Sequence, residues 1–201
     1  LLKDARGIPP LLQVVRAVAA ADVGPPQVEA VTAIAKIGGD EGARAIVEII
    51  ATGSPASASR VVDQALLEAW RLGTRAPVAD LVRFADATDG AMRWHALFSL
   101  ARLRAAPGAV HLIRALGDRE LPVRTAAARG ISKALIDSAR VDPRAAIDGL
   151  RPLLDDPNAH LRINALRALA SFRDSTLAAA VTPLVADRDI GVAVQAETTL
   201  G

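Results

Sequence analysis

The chain has 201 residues, of which 23% are charged, and a formal net charge of +2 at pH 7. Apolar residues make up 51% of the sequence but aromatic residues only 2%, a composition that favours packed helices over a β-sandwich. This balance excludes intrinsic disorder, and no apolar run reaches the ~18 residues of a membrane span. The absence of Cys from the sequence excludes thiol catalysis, disulfides and zinc–thiolate sites.

Helical periodicity runs along the chain and is interrupted by short segments rich in Pro, Gly and Asp. One helix per segment repeats a common pattern of apolar and small residues. The equivalent apolar position of that pattern falls at Ile34, Ala69, Leu100, Ile131, Leu169 and Leu200. The steps are 35, 31, 31, 38 and 31 residues, which predicts a repeat protein with insertions around Ser54–Ser59 and Asp137–Asp142.

Each repeat is predicted to pair this helix with a preceding amphipathic helix. The predicted repeats cover residues 9–38, 40–73, 76–104, 106–138, 143–173 and 174–201. Preceding helices are predicted at Ala109–Leu116, Pro143–Leu154 and Thr176–Val185. Pro152 and Pro183 hold the same place in the last two of these helices, and a matched pair of prolines predicts a repeated bend.

Acidic and basic residues recur at the junctions between repeats. An Asp stands five residues before the first apolar residue of three later helices, at Asp118, Asp156 and Asp187. We expect each to accept backbone N–H groups at the start of the next helix. An Arg follows the first apolar residue at Arg93, Arg124 and Arg162. These arginines are expected to bridge the turns of adjacent repeats in an Asp–Arg ladder with Asp118 and Asp156, and each exposed pair is expected to contribute ~0–1 kcal/mol.

Two motifs carry a resemblance to a known family. Residues 152–157 read Pro-Leu-Leu-Asp-Asp-Pro, and the runs starting at Met92, Val123 and Leu161 fit (Leu/Val/Met)-Arg-x-x-Ala-x-x-x-(Leu/Ile). This pattern resembles the HEAT-repeat superfamily, including short bacterial HEAT-like repeats of the phycobilin lyase type. The first two repeats depart from it, with Gln27 and Val62 in place of Arg. The resemblance implies an all-α, right-handed α-α superhelix of about six HEAT-like hairpins.

The chain ends suggest part of a larger protein. The sequence starts without Met and stops at Gly201 without the polar capping repeat that solenoids need. We therefore expect one solenoid module excised from a longer chain, and the Ala- and Arg-rich usage suggests a bacterial source. HEAT-like modules of this kind occur beside catalytic domains, as in lyase-like proteins and cyclophilin-type prolyl isomerases. The compartment is left open, with the cytoplasm favoured.

A column of cations recurs near the ends of the second helices, on the face that lines the concave groove of HEAT solenoids. Its members are Lys36, Arg71, Arg102 and Lys133, with Arg129 and Arg167 nearby. One interpretation is that the helix dipole favours cations at helix C-termini. The other is a basic stripe for an acidic partner or a phosphate backbone.

The middle of the predicted groove carries an aromatic cluster. Trp94 and Phe98 share a helix face, with His95 beside them, and they are two of only five aromatic residues in the chain. Exposed aromatic residues flanked by Arg are typical of interface hot spots. The alternative is that Trp94 packs against the neighbouring repeat. Trp70 is interpreted as a packing residue.

Catalysis finds little support in the sequence. The three His residues form no metal-ligand pair, and the chain has neither a Gly-rich phosphate loop nor a G-x-S-x-G elbow. We therefore expect no catalytic residue, metal or cofactor. HEAT-like DNA glycosylases hold DNA with Trp residues and a catalytic Asp, and Trp94, Arg102 and Asp63 imitate this arrangement only loosely.

The sequence therefore predicts a non-catalytic interaction or scaffolding module. Its expected partner is a protein or peptide segment, or another domain of the same chain, held in the groove, with no membrane involved. The alternative is nucleic-acid binding through the basic column. Salt dependence separates the two, because a phosphate-binding protein loses affinity steeply as salt rises.

Overall fold

The computed structural model of the protein describes residues 4–17, 24–57 and 59–201. Over these ranges the regular structure is helical, with one isolated antiparallel bridge, between Ser54 and Ser57, and no strand. The chain divides into two compact units, residues 1–103 and 104–201. The predicted all-α repeat fold is confirmed. No helix in the described ranges is long and apolar enough to cross a membrane.

The first unit is built from helical hairpins. Its α-helices are α1 (Ile8–Arg16), α2 (Pro25–Ile37), α3 (Gly39–Ala51), α4 (Arg60–Glu68), α5 (Val78–Phe84) and α6 (Gly90–Leu103). Helices α2, α4 and α6 lie side by side, and α3 and α5 pack against them from the preceding arm of each hairpin. Ile34, Leu66 and Leu100 are fully buried between these layers.

The second unit repeats the arrangement with shorter helices. They are α7 (Ala109–Ala115), α8 (Leu121–Gly130), α9 (Lys133–Ala139), α10 (Pro143–Leu150), α11 (Ala159–Ala170), α12 (Ala178–Val181) and α13 (Ile190–Leu200). Helix α11 lies between α8 and α13. Leu161, Ala165 and Leu169, spaced four apart on α11, are fully buried, as the apolar pattern predicts.

The matched prolines mark a repeated change of helix type. Pro152 and Pro183 are each the second residue of a 3-10 segment, Arg151–Asp155 after α10 and Thr182–Ala186 after α12. Because proline lacks an N–H, it cannot continue the α-helical hydrogen bonds, and the tighter 3-10 turn takes over. The helix predicted over Pro143–Leu154 is therefore divided into an α and a 3-10 part, and the α part of the one predicted over Thr176–Val185 has a 3-10 segment on each side.

The two insertions predicted from the repeat spacing take different forms. The first is a tight turn in which Ser54 pairs with Ser57, and the amide of Thr88 donates to the Pro55 carbonyl at 2.9 Å. The second is α9, which begins at Lys133, before the predicted segment, and is followed by Arg140 in the left-handed conformation. Residue 58 of the first insertion and residues 18–23 of the first predicted repeat lie outside the described ranges.

The aspartates at the repeat junctions shape the turn instead of capping the helix as expected. Each accepts the amide two residues further on: Asp118 from Glu120, Asp156 from Asn158 and Asp187 from Asp189, at 2.9, 2.9 and 2.8 Å. They stand too early in the chain to reach the first helical amides. In two of the turns the cap is the later residue, Asn158 or Asp189, whose side chain accepts a helix amide.

The predicted Asp–Arg ladder is confirmed at Asp156, and the structure extends it to Asp187. Arg124 reaches Asp156 at 3.3 Å and Arg162 reaches Asp187 at 2.7 Å, while the other guanidinium nitrogen of each Arg donates to carbonyls of its own turn. Neither pair is exposed as expected: the side chains of Arg124 and Asp156 are 21% and 11% exposed, and those of Arg162 and Asp187 are 6% and 10% exposed. The Asp189 amide, followed by Arg162, holds the pKa of Asp187 below its ordinary value.

Candidate functional site

In the first unit, aromatic and cationic side chains meet where α4 changes into a 3-10 segment, Ala69–Arg75. The hydroxyl of Ser99 on α6 donates to the carbonyls of Leu66 and Leu67, at 2.6 and 3.2 Å. In a continuous α-helix these two carbonyls would accept the amides of Trp70 and Arg71. The bond therefore joins α6 to the end of α4 and sets the place from which Trp70 and Arg71 extend.

Arg102 is stacked on the indole of Trp70. Its guanidinium carbon lies 3.7 Å from the Trp70 ring centroid and 5.6 Å from that of Phe98, and the guanidinium of Arg71 lies 4.6 Å from Trp70. Trp70 and Phe98 are half-buried, whereas Arg71 and Arg102 are exposed. Together with half-buried Trp94, these four residues form what we call the aromatic–arginine surface.

The two arginines of this surface differ in their charge partners. Arg71 forms an ion pair with Glu68, whose side chain is 10% exposed. Arg102 makes only the two ring contacts, and no carboxylate in the described part of the chain pairs with it. Its charge is therefore available to a ligand, and the Trp70 ring fixes its position.

His95 does not line an open groove. It is 8% exposed and its Nδ1 lies 2.5 Å from Asp63 Oδ1 on α4, while the Trp94 ring packs on the imidazole with centroids 4.2 Å apart. His95 is three residues after the buried Met92, so on an α-helix the two side chains point in directions only about 60° apart. His95 therefore faces the neighbouring helix α4. The predicted groove position of His95 is thus corrected to a contact between α4 and α6.

The six predicted cations are all exposed. Lys36, Arg71 and Arg102 are exposed at the ends of successive helices of the first unit, and Arg129 and Arg167 are exposed on α8 and α11. Arg167 donates from Nε to Gln195 Oε1 at 2.9 Å.

Lys133 departs from the predicted column. It is the first residue of α9 and pairs with Asp137 at 2.6 Å. Helix α8 ends at Gly130, and the chain continues through extended Ile131 and Ser132. Lys133 therefore stands on a separate helix instead of extending from the C-terminus of α8.

The sequence predicts Trp70 as a packing residue, and in the structure it is half-buried, with the guanidinium groups of Arg71 and Arg102 on its ring. It follows the fully buried Ala69 in a 3-10 segment, whose rotation per residue differs from that of an α-helix. The signal in the sequence was Arg71 directly after Trp70, together with Arg102 at the equivalent position of the next repeat.

The polar side chains of this region bond to one another and to the backbone. Asp63 and His95 bond to each other, and the nearby Ser99 hydroxyl is used by the backbone of α4. Among the residues that the structure describes, no group of three or more His, Asp or Glu side chains could hold a metal ion.

No known protein-family profile and no curated protein matches the sequence. Solved structures do: an engineered protein is 18% identical with a TM-score of 0.72, covering 96% of this chain and 94% of its own. A designed armadillo repeat protein in complex with the peptide (KR)4 is 16% identical with a TM-score of 0.69, covering 96% and 99%.

A natural protein is also similar. The complex of CpcE and CpcF of phycocyanin lyase from Nostoc sp. PCC7120 is 16% identical, with a TM-score of 0.55 over 99% of this chain and 83% of that one. These likenesses confirm that the fold is of the HEAT and armadillo type, as the sequence motifs predict.

Proposed function

We propose that the chain is a non-catalytic binding module that holds an acidic segment of a partner protein against the aromatic–arginine surface. The observation that carries this proposal is the stacking of Arg102, which lacks a carboxylate partner in the described ranges, on the half-buried ring of Trp70. Trp and Arg are the residues most enriched at the energetic centres of protein interfaces.

The surface is organised before a partner arrives. The Trp70 ring holds the Arg102 guanidinium in place, and the Ser99 bonds fix the segment that carries the ring. A preorganised Arg loses less conformational freedom on binding, which increases affinity without any new contact. The half-buried rings of Trp94 and Phe98 offer apolar area to a hydrophobic side chain beside the acidic one.

The charge of the surface indicates the charge of the partner segment. The similar designed armadillo repeat protein is in complex with the peptide (KR)4, which consists of Lys and Arg. The surface described here carries Arg102 without a carboxylate partner in the described ranges, with Lys36 exposed at the end of the neighbouring α2. An acidic segment is therefore the complementary ligand, and opposite charge would speed its association.

Nucleic-acid binding is the less supported alternative. Ion pairs with Glu68 and Asp137 already compensate two of the predicted cations, Arg71 and Lys133. Asp63, the residue compared with a catalytic Asp, is bonded to His95. A phosphate-binding surface needs several uncompensated cations, because its affinity comes from neutralising successive phosphates.

The proposal is tested by selecting a random displayed peptide library on the wild-type protein. The enriched peptides are then compared on the double variant Trp70→Leu/Arg102→Gln, with Arg60→Gln as the control for the loss of one positive charge elsewhere in the unit. We expect acidic peptides with one large apolar residue, which bind the control as well as wild type and the double variant at least about tenfold more weakly.

Two results would contradict the proposal. One is a set of enriched peptides that bind wild type and the double variant equally. The other is tight binding of labelled DNA, measured by fluorescence anisotropy, that weakens steeply between low and physiological salt, which would favour the nucleic-acid alternative.

A further inference from the structure

The early end of α8 opens a pocket in the second unit. Helix α8 has 10 residues, whereas the equivalent α6 has 14. The chain leaves α8 through Ile131 and Ser132, both in extended conformation. A cavity of about 420 Å³ lies beside α11 where a longer α8 would continue. We call it the α8–α11 pocket.

The polar groups of this pocket are mostly hydrogen-bond donors. Its polar lining consists of Arg129, Ser132, His160, Asn164, Arg167 and Ser171, and no Asp or Glu is among the described lining residues. No carboxylate in the described ranges pairs with Arg129 or Arg167. Two guanidinium groups that share a cavity without a counterion favour an anionic ligand.

Asn164 supplies a second, independent sign of a ligand. The residue is 4% exposed, and its Nδ2 is buried without a hydrogen-bond partner. A buried amide left unpaired is costly, and native proteins rarely retain one without a reason. Asn164 is one of the residues that line the α8–α11 pocket.

The same position in three other repeats carries a polar side chain that does have a partner. Gln64 donates to Thr32 Oγ1 at 2.8 Å, His95 bonds to Asp63 at 2.5 Å, and Gln195 accepts from Arg167 at 2.9 Å. In each case the partner is on the preceding repeat helix. Of these four side chains, Asn164 alone has a buried polar atom without a partner, and the repeat helix that precedes it is α8.

We infer that the α8–α11 pocket binds the carboxylate of a short aliphatic acid. Arg129 and Arg167 would pair with the carboxylate through their planar guanidinium groups, and Asn164 Nδ2 would donate to one of its oxygens. The apolar side chains of Ile131 and Ala168 would contact the methylene groups. A phosphate ion has no apolar part that could contact Ile131 and Ala168. The same chemistry is offered by a free dicarboxylate and by a Glu side chain of a peptide.

The experiment titrates the full chain with succinate while recording NMR signals of the Asn164 side-chain amide and the Arg Nε–H groups. We expect the Asn164, Arg129 and Arg167 signals to shift together and to saturate, whereas succinamide, the neutral analogue, leaves them unchanged. Arg129→Gln/Arg167→Gln should weaken succinate binding by at least about tenfold. The matched control is Arg151→Gln, which removes a charge from an exposed residue outside the pocket.

Asn164→Ala gives a further check, since it shortens a side chain without changing charge. We expect it to weaken succinate binding while the far-UV circular dichroism stays that of wild type. A second arm compares succinate with an acetylated peptide containing one Glu and with its Gln counterpart. Tighter binding of succinate identifies a small-acid site, and tighter binding of the Glu peptide identifies an acidic-peptide site; either supports the carboxylate assignment.

Three outcomes would overturn it. They are an unmoved Asn164 amide at saturating succinate, equal shifts with succinamide, or a larger response to inorganic phosphate than to succinate. This test is independent of the proposed function, because the pocket and the aromatic–arginine surface lie in different units. Loss of peptide binding at Trp70 would leave the succinate response unchanged.

Discussion

The hydroxyl of Ser99 is the contact whose removal is easiest to evaluate. Ser99 is fully buried, and its hydroxyl donates to the Leu66 carbonyl at 2.6 Å and the Leu67 carbonyl at 3.2 Å. Ser99→Ala removes the donor, creates almost no cavity and leaves a buried carbonyl without this partner. We expect it to lower the free energy of unfolding by about 1–3 kcal/mol, the range for a buried group that loses its hydrogen bond.

The assay is urea denaturation followed by tryptophan fluorescence. Both tryptophans, Trp70 and Trp94, belong to the first unit, so this signal reports the unit that contains Ser99. Thr74→Val is the matched control, because it replaces an exposed hydroxyl in the same 3-10 segment and should change stability by less than about 0.5 kcal/mol.

The reasoning about Ser99 also predicts a local effect. Without the bond, the segment that carries Trp70 is held less firmly, so the native emission spectrum should change in Ser99→Ala and not in Thr74→Val. A Ser99→Ala protein with the wild-type denaturation midpoint and slope would refute the reasoning, because the slope reports the surface exposed on unfolding.

Three further predictions concern other parts of the chain. Gly53→Ala should destabilise the protein by about 1–3 kcal/mol in urea denaturation, since its Cβ would lie 2.7 Å from the fully buried Val62. Arg102→Gln should raise acrylamide quenching of tryptophan fluorescence by uncovering the Trp70 ring; unchanged quenching would contradict the stacking. The pKa of Asp187 is lower in the folded protein than the ordinary value of 3.8, so the ionised carboxylate stabilises the fold above pH 3.8. That stabilisation is lost as the pH falls through the lowered pKa of the folded state. Asp187→Asn should therefore be less stable than wild type near neutrality, with a gap that narrows in acid denaturation.

The repeat architecture could be predicted from the sequence because it depends on local periodicity. The buried column of Leu161, Ala165 and Leu169 follows from their spacing, and the bend at Pro152 follows from its missing amide. The ladder pairing of Arg124 with Asp156 follows from the recurrence of both residue types. Each of these features involves residues of one helix or of the junction turns of two adjacent repeats.

The site was harder to predict because it depends on relations between helices. The alignment placed His95 on the open face, since the sequence does not show that Asp63 of the preceding repeat meets it. Lys133 was assigned to the end of α8 because nothing in the pattern marks the early exit at Gly130. The stacking of Arg102 on Trp70 could not be predicted because it joins the end of α6 to the 3-10 segment after α4, and apolar spacing does not reveal that contact.

The most direct test of the central claim uses the indole N–H signals of Trp70 and Trp94, which are the chain's two tryptophans. An acidic peptide selected on wild type is titrated into the protein, and its counterpart with Gln and Asn in place of Glu and Asp serves as the control. The account predicts that both indole signals shift with the acidic peptide and neither with the control. Saturable binding of the acidic peptide, measured by anisotropy, with both indole signals unmoved would place the binding surface elsewhere and contradict the account.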